Sequence, residues 1–515
     1  MKNMKKFKYI LLATALIIYA SCGKNFLELY PEGNLNTGIF YKNTQDFQQA
    51  LIGAYVPLRD ISNIAFYMDE MRSDNTHYDY YAKDRGNLAY EQLADFLDDS
   101  QNGVIAQRYS ACYNGISRAN VILDRLEKIN FPMAEADKRQ IIGEAKALRA
   151  HYYFDLVRHF GKVPLHIHEV LDKESAYLPQ SSEEEIYAKI IDDFTEALDK
   201  VSLPKLPQGT GRITKGMVAS ELAMAYMVNN RYDKSIPLLQ SVAKMGYGLW
   251  TNYGDAFKIE NQNKMESVFE VQYKDGTDGQ SSSFIYKFIP IGNTLKILGI
   301  NYNNNNAGWN IPTLDLIESY ERNDKRLDAS IGVIEGTINK DSDFIASGIA
   351  SESARNYAPK PGVAYKYFIR KYYHPPYLLA NNTKENWPVI RYSNVLLMLA
   401  ESLNESGQSG AALPYLNQVR KRAGLGDVTT IEPSELRDII AKERRMELAF
   451  ENSRWLDLVR TKQAIPVMTA FGIKQKAAYG YLSRSAYTIT ESKYIFAIPY
   501  REMTINKKLI QNTGY

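Results

Sequence analysis

The sequence predicts a mainly α fold: a scaffold of paired helices carrying a loop-rich, partly irregular insertion. Three observations predict it. Apolar residues recur at three- and four-residue steps through most of the first half and the last quarter of the chain. Two stretches, 219–239 and 396–416, repeat one helix–turn–helix pattern. Between them, residues 245–390 lose the helical period and fill with Asn, Gly and Ser.

The chain opens with a targeting segment. Lys2, Lys5, Lys6 and Lys8 form a basic start, and Tyr9 to Ala20 is a continuous apolar run. That run is too short to span a bilayer, which takes roughly 20 apolar residues. It fits a cleaved signal peptide over 1–21. Ala20 and Ser21 then lead into Cys22, the arrangement of a lipoprotein whose cysteine carries the acyl chains; Tyr19 stands where a Leu-like residue is usual. Each buried methylene of such a lipid contributes about 0.8 kcal/mol to anchoring. Cys22 and Cys112 are the two cysteines of the chain, so acylation of Cys22 leaves Cys112 without a disulfide partner. Its apolar helical neighbours mark it as a buried small hydrophobe.

Removing residues 1–21 leaves 494 of 515 residues and takes four lysines from a net charge of +3, giving −1. The basic balance thus belongs to the signal, and nucleic acid is not an expected partner. A chain of this length makes one large composite domain or several smaller ones. Tyrosine is abundant, 38 against 19 Phe and 4 Trp. Its flat face and hydroxyl suit both helix contacts and wet binding surfaces.

Residues 138–160 place Ile141, Ala145, Leu148, Tyr152 and Leu156 on one helix face, with Gly161 and Pro164 ending it. Ser181 and Ser182, followed by Glu184 and Glu185, mark a capping-box start for a helix over 183–199. The two repeats align at an offset of 177, with Ser235-Ile236-Pro237 on Ala412-Leu413-Pro414, Leu222 on Leu399 and Leu239 on Leu416. Each resembles a tetratricopeptide unit, a helix pair that must stack on neighbours to bury its apolar face. The helical scaffold is therefore expected over about 38–244 and 390–465, with the loop-rich insertion over 245–390 as the ligand-binding part. Within it, Ser267 to Tyr273 alternates like a strand.

Several blocks resemble the SusD/RagB family. They are Asn25-Phe26-Leu27-Glu28-Leu29-Tyr30-Pro31, the run from Glu144 to Leu165, and Glu401 to Leu425 with Asn417, Val419, Arg420, Arg422, Ala423, Gly424 and Leu425 in place. Glu443 to Glu451, Arg454 to Arg460, and the tail from Ile498-Pro499 to Tyr515 follow in order. The resemblance covers essentially the whole chain after Cys22. It implies a SusD-like domain over 22–515, lipid-anchored in the outer membrane and exposed at the cell surface, in a member of the Bacteroidetes. It also implies capture of glycans, or in some members peptides, and delivery to a SusC-like TonB-dependent transporter. No enzyme activity and no cofactor are implied.

Two chemical alternatives lie in the sequence itself. Glu443, Glu447 and Glu451 at four-residue steps invite a glycosidase reading. Arg444, Arg445, Arg454 and Arg460 are interleaved with them, which keeps carboxylates ionised and favours a structural ion-pair network. His77, His151, His159, His166 and His168 lack a metal-ligand spacing. No catalytic or metal residue is therefore expected. The binding candidates are aromatic and polar clusters in expected loops: Asp74, Asn75, His77, Tyr78, Tyr80 and Tyr81; then Tyr302, Asn304 and Trp309; then Tyr373. Aromatic plates edged by Asn, Asp or Arg match a sugar ring, with its C–H face and hydroxyl rim.

Overall fold

In the computed structural model, residues 40–203, 209–299 and 307–515 are described. The signal segment and Cys22 lie outside them. Helix α1 (Thr44–Asp69) starts where the Asn43 side chain accepts a hydrogen bond from the Asp46 amide, at 3.0 Å. A short helix α2 (Leu88–Ala94) leads to the long α3 (Gly103–Leu126) and α4 (Glu135–Phe160). The stripe read from the sequence of α4, Ile141, Ala145, Leu148, Tyr152 and Leu156, is fully buried. Helices α1, α3 and α4 lock at one point. The Tyr152 ring lies on bare Gly115 of α3, where a Cβ would sit 2.1 Å away, and its hydroxyl donates to the Ala54 carbonyl of α1 at 2.7 Å. Gly161, at φ +64°, ends α4 in the left-handed region that glycine tolerates.

After β2 (Val163–Pro164), a one-turn helix α5 (Lys173–Ala176) and β3 (Gln180–Ser181), α6 (Glu183–Lys200) begins with the expected capping box. The Ser182 hydroxyl accepts from the Glu185 amide at 3.2 Å, and the Glu185 carboxylate accepts from the Ser182 amide at 2.8 Å. Cys112 is buried in α3, as expected.

The first repeat is the hairpin α7 (Lys215–Val228) and α8 (Tyr232–Ala243). The insertion follows. It is more regular than the sequence suggests. Strand β4 (Ser267–Val271), α9 (Phe284–Lys287), β5 (Ile311–Pro312), α10 (Leu314–Ser319) and α11 (Arg326–Ser330) precede a three-stranded antiparallel sheet. Its strands β6 (Ile331–Ile338), β7 (Phe344–Ile349) and β8 (Ala364–Ile369) lie in the order β7-β6-β8. Strand β9 (Trp387–Arg391) returns to pair antiparallel with β4. The strand expected from Ser267 is present, but its last four residues are all buried rather than alternating. Glu270 is held there by the Asn386 side chain at 3.0 Å.

The second repeat is α12 (Tyr392–Glu405) and α13 (Ser409–Arg422). The correspondence with the first reaches the backbone of the turns. Asn230 and Gly407, which align, are both left-handed, at φ +55° and +74°. The Arg231 amide bonds the Tyr226 carbonyl at 2.9 Å, and the aligned Gln408 amide bonds Leu403 at 2.8 Å. Pro237 and Pro414 each stand inside the second helix of their pair. The two hairpins stack through α8 and α12, where small residues let the helices approach: Ser235 Oγ donates to Ser402 Oγ at 2.7 Å, both buried. Helices α14 (Pro433–Glu447), α15 (Arg454–Arg460), α16 (Ala464–Ala478) and α17 (Tyr500–Ile505) complete the chain. The fold is thus mainly helical and tetratricopeptide-like, with one apolar core joining both repeats to the insertion.

Candidate functional site

Strand β1 (Thr76–His77) pairs antiparallel with β5, Thr76 opposite Pro312 and His77 opposite Ile311. This short ladder brings the 74–81 cluster beside Trp309. The Asp79 amide then bonds the Gly308 carbonyl at 2.8 Å. Gly308 is at φ +92°, and a Cβ there would press into Ile291 at 2.7 Å, so the approach needs glycine.

Five of the candidates are buried, although all of them except His77 lie in bends or loops as expected. Asp74 sits between Arg454, at 2.8 Å, and Arg445, at 3.0 Å. Burial opposes its charge, but the two guanidinium groups outweigh burial and hold the carboxyl below its ordinary range. Asn75 donates to Glu70 and accepts from Arg445, both at 2.9 Å. His77 and Tyr78 stack at 4.1 Å and share Asp95: its carboxylate lies 3.2 Å from His77 Nε2 and accepts from the Tyr78 hydroxyl at 2.8 Å. Burial, then the charge of Asp95, pushes the Tyr78 phenol far up. Trp309 stands edge-on to Tyr67 and Tyr90, with ring centres at 5.8 and 4.9 Å. Asp74, Asn75, His77 and Tyr78 are hydrogen-bonded by protein partners, and Trp309 packs among rings. They form a buried bed.

The half-exposed residues lie on this bed. Tyr80 stacks on Tyr481, centroid to centroid 3.9 Å and 4° from parallel. The Arg85 guanidinium lies 4.8 Å from the Tyr80 ring centre and pairs with Glu91. The Tyr81 hydroxyl donates to Asp343 at 2.8 Å, and Lys83 bonds the same oxygen at 2.6 Å. Tyr479, 44% exposed, continues the row at 5.5 Å from Tyr481. Sequence reasoning missed Tyr479 and Tyr481; the signal was Tyr-Gly-Tyr in a Ser-rich stretch after a helix. Tyr373 is held by other elements and is not brought to this row. Its hydroxyl donates to the Ile297 carbonyl at 2.5 Å, and its ring is perpendicular to Phe368. Tyr302 and Asn304 lie outside the described residues.

The acidic block has partners other than those expected from its neighbours. Glu447 receives Arg422 at 2.5 Å, Arg391 at 2.9 Å and Arg326 at 3.3 Å; Glu443 receives Arg326 and Arg420. Glu451, beyond the end of α14, pairs with Arg391 and Lys371. Arg444 and Arg460 turn instead to Asp457 and Glu401. Burial alone would raise the Glu447 carboxyl, but the three guanidinium groups hold it well below its usual range. Such a group is a poor proton donor. Among the described residues, no three His, Cys, Asp or Glu side chains gather as metal ligands.

The arrangement offers the exposed Tyr479 ring, the edges of the stacked Tyr80 and Tyr481, and the polar Arg85–Glu91 pair beside them, chemistry suited to ligand capture. Comparisons with known proteins give the family of the chain. Residues 265–515 match the family model described as "SusD family", and residues 25–227 match one described as "Starch-binding associating with outer membrane". SusD-like protein P38 of Formosa agariphila is 26% identical over 99% of this chain and 100% of its own length. A SusD-like protein of Bacteroides ovatus is 26% identical over 90% of this chain and 84% of its own. Among solved structures, a laminarin-binding SusD-like protein matches with TM-score 0.73 and 25% identity, covering 92% of this chain and 100% of that one. Surface glycan-binding protein A from Bacteroides thetaiotaomicron matches with TM-score 0.72 and 23% identity, over 92% and 100%.

Proposed function

The chain belongs to the SusD family, and on that premise we propose that it is a nutrient-binding lipoprotein that captures oligosaccharides or polysaccharide fragments at the cell surface. In this reading Cys22 carries the lipid anchor in the outer membrane, and the captured glycan passes to a SusC-like TonB-dependent transporter. The protein binds without turnover.

The observation that carries the reading is the tyrosine row Tyr80, Tyr481 and Tyr479 on its buried bed. A pyranose ring has an apolar C–H face that rests on such a plate, and hydroxyls that reach polar groups at its edge. Arg85, over the Tyr80 ring, and its partner Glu91 are the polar groups beside the row. The bed of Asp74, Asn75, His77, Tyr78 and Trp309 fixes the plate before the ligand arrives, which limits the ordering cost of binding. One structurally similar protein binds laminarin and one matching family is described as starch-binding, which makes glucans the first probes.

Titration calorimetry with laminarin and soluble starch tests this. The double variant Tyr80→Ala, Tyr481→Ala should bind about tenfold more weakly, equivalent to ~1.4 kcal/mol. Unchanged affinity in a variant with parent-like circular dichroism would remove these residues from the site. Binding of peptides but of no glycan across a panel would replace the ligand class.

A further inference from the structure

A second aromatic surface lies on the insertion, built from residues that the tyrosine row does not use. In the three-stranded sheet, Glu335 of β6 stands opposite Tyr365 of β8 on one side and Gly348 of β7 on the other. The three positions therefore share one face of the sheet. Tyr367, two residues along β8, is on that face as well. The opposite face is turned to the body of the protein: Lys366, between the two tyrosines, reaches Asp79 at 2.5 Å.

On the outward face Tyr365 is 38% exposed. Its ring lies 4.9 Å from Tyr357 and 5.6 Å from Tyr367. Beside Glu335 the floor is open, because a Cβ built on Gly348 meets no atom within 4 Å. Glu318, Glu335 and Glu352 lie around these rings, and Arg355, just before Tyr357, turns its guanidinium to the Ile317 carbonyl at 3.5 Å. Glu335 accepts from the Tyr357 hydroxyl at 2.7 Å. Burial, then this hydrogen bond and the charges of Glu335 and Glu352, pushes the Tyr357 phenol up to about 12. Glu318 lies near Tyr367, whose phenol is also pushed up, first by burial. Among the described residues, Glu318, Glu335 and Glu352 form no ion pair; Glu335 accepts from Tyr357 and Glu352 from Ser351 at 3.2 Å, each through one of its two carboxylate oxygens.

We propose that this face, around Tyr357, Tyr365 and Tyr367, is a second contact surface for an uncharged glycan chain. Exclusion of anions sets the class. Carboxylates accept from sugar hydroxyls and repel uronate or sulfate groups. Exposed rings supply stacking area. A polymer held at this face and at the tyrosine row would gain from both contacts, whereas a short oligosaccharide would use either one alone. The inference rests on the glycan-binding reading but on separate residues.

Native affinity electrophoresis of the full chain with laminarin, soluble starch and alginate separates the two. Tyr365→Ala should lose at least ~5-fold in retention by a neutral polymer. Gly348→Lys, which adds a side chain to open floor and removes no contact, should lose as much and guards against misfolding of the first variant. Tyr80→Ala with Tyr481→Ala should leave residual retention that Gly348→Lys then abolishes. Parent-like retention of Tyr365→Ala and Gly348→Lys overturns the second surface while leaving the first intact. Preferential retention by alginate that Gly348→Lys removes, or displacement of the polymer from this face by a lysine-rich peptide, overturns the ligand class. A parent chain that neither neutral polymer retains overturns both readings.

Discussion

The Glu70 carboxylate accepts a hydrogen bond from the backbone amide of Phe450 at 2.8 Å, joining positions 380 residues apart. It also accepts from the Asn452 amide at 3.0 Å and the Asn75 side chain at 2.9 Å. One buried carboxylate thus ties the end of the first scaffold helix, the loop that carries Asn75 and the turn after α14.

That position has a pH signature. Burial pushes the Glu70 carboxyl up to about 7, against the hydrogen bonds and Lys371, which act the other way. A folded-state value above the ordinary 4.5 means that the folded protein holds this proton more tightly. Its contribution is fully present below about 4.5 and is lost as pH rises through about 7. Urea unfolding between pH 5 and 8 should show Glu70→Gln losing part of the parent's decline, on the order of 2–3 kcal/mol. Identical slopes for parent and variant would assign the decline to other groups, such as His159, whose value is also raised.

The scaffold was legible because helices advertise themselves locally. The stripe from Ile141 to Leu156, the Ser182–Glu185 cap and the aligned repeats need no knowledge of distant partners. The sheet was not legible. Gly332, Gly336 and Gly348 interrupt its β-branched runs, and their meaning depends on strand pairing. The site was legible in part. Composition found 74–81 and Trp309, which pairing of β1 with β5 brings together. Their burial was hidden, because Arg445 and Arg454, which neutralise Asp74, lie some 370 and 380 residues away. Tyr481, the stacking partner of Tyr80, is equally remote in sequence.

Burial changes what a substitution at Trp309 reports. Its ring is 7% exposed and fills a space between Tyr67, Tyr78 and Tyr90. Trp309→Ala should cost about 3–5 kcal/mol of stability through the cavity left behind. Glycan affinity should fall with it, since the bed beneath Tyr80 loosens. Tyr80→Ala, by contrast, should lower affinity at nearly constant unfolding midpoint. Guanidinium denaturation and calorimetry on the same two samples compare these outcomes; equal midpoints would contradict the distinction between bed and plate.

The aligned turns of the two repeats make a backbone prediction. Asn230 and Gly407 both occupy the left-handed region. Asparagine tolerates it better than other side chains, and glycine best. Gly407→Ala should therefore destabilise by about 1 kcal/mol, Gly407→Asn by less, and Asn230→Gly should be neutral or slightly stabilising. Thermal melts of the three variants give the order directly. A Gly407→Ala protein as stable as the parent would mean that the turn relaxes to another conformation.

Glu447 discriminates between a catalytic and a structural acidic block. It is fully buried and receives guanidinium groups from Arg326, Arg391 and Arg422, which belong to α11, β9 and α13. Each of those arginines has a further carboxylate partner, so removing Glu447 strands charge without leaving any arginine wholly alone. Glu447→Gln should cost about 3 kcal/mol at neutral pH. Because this carboxyl is held well below its ordinary value, its stabilisation is present above about 4.5 and fades as pH falls below that. The gap between parent and variant should narrow accordingly from pH 5 to pH 3. A catalytic glutamate would behave in the opposite way: its amide variant would lose product release from laminarin or starch while folding as stably as the parent. Denaturation at the two pH values, run beside a reducing-sugar assay, decides between these.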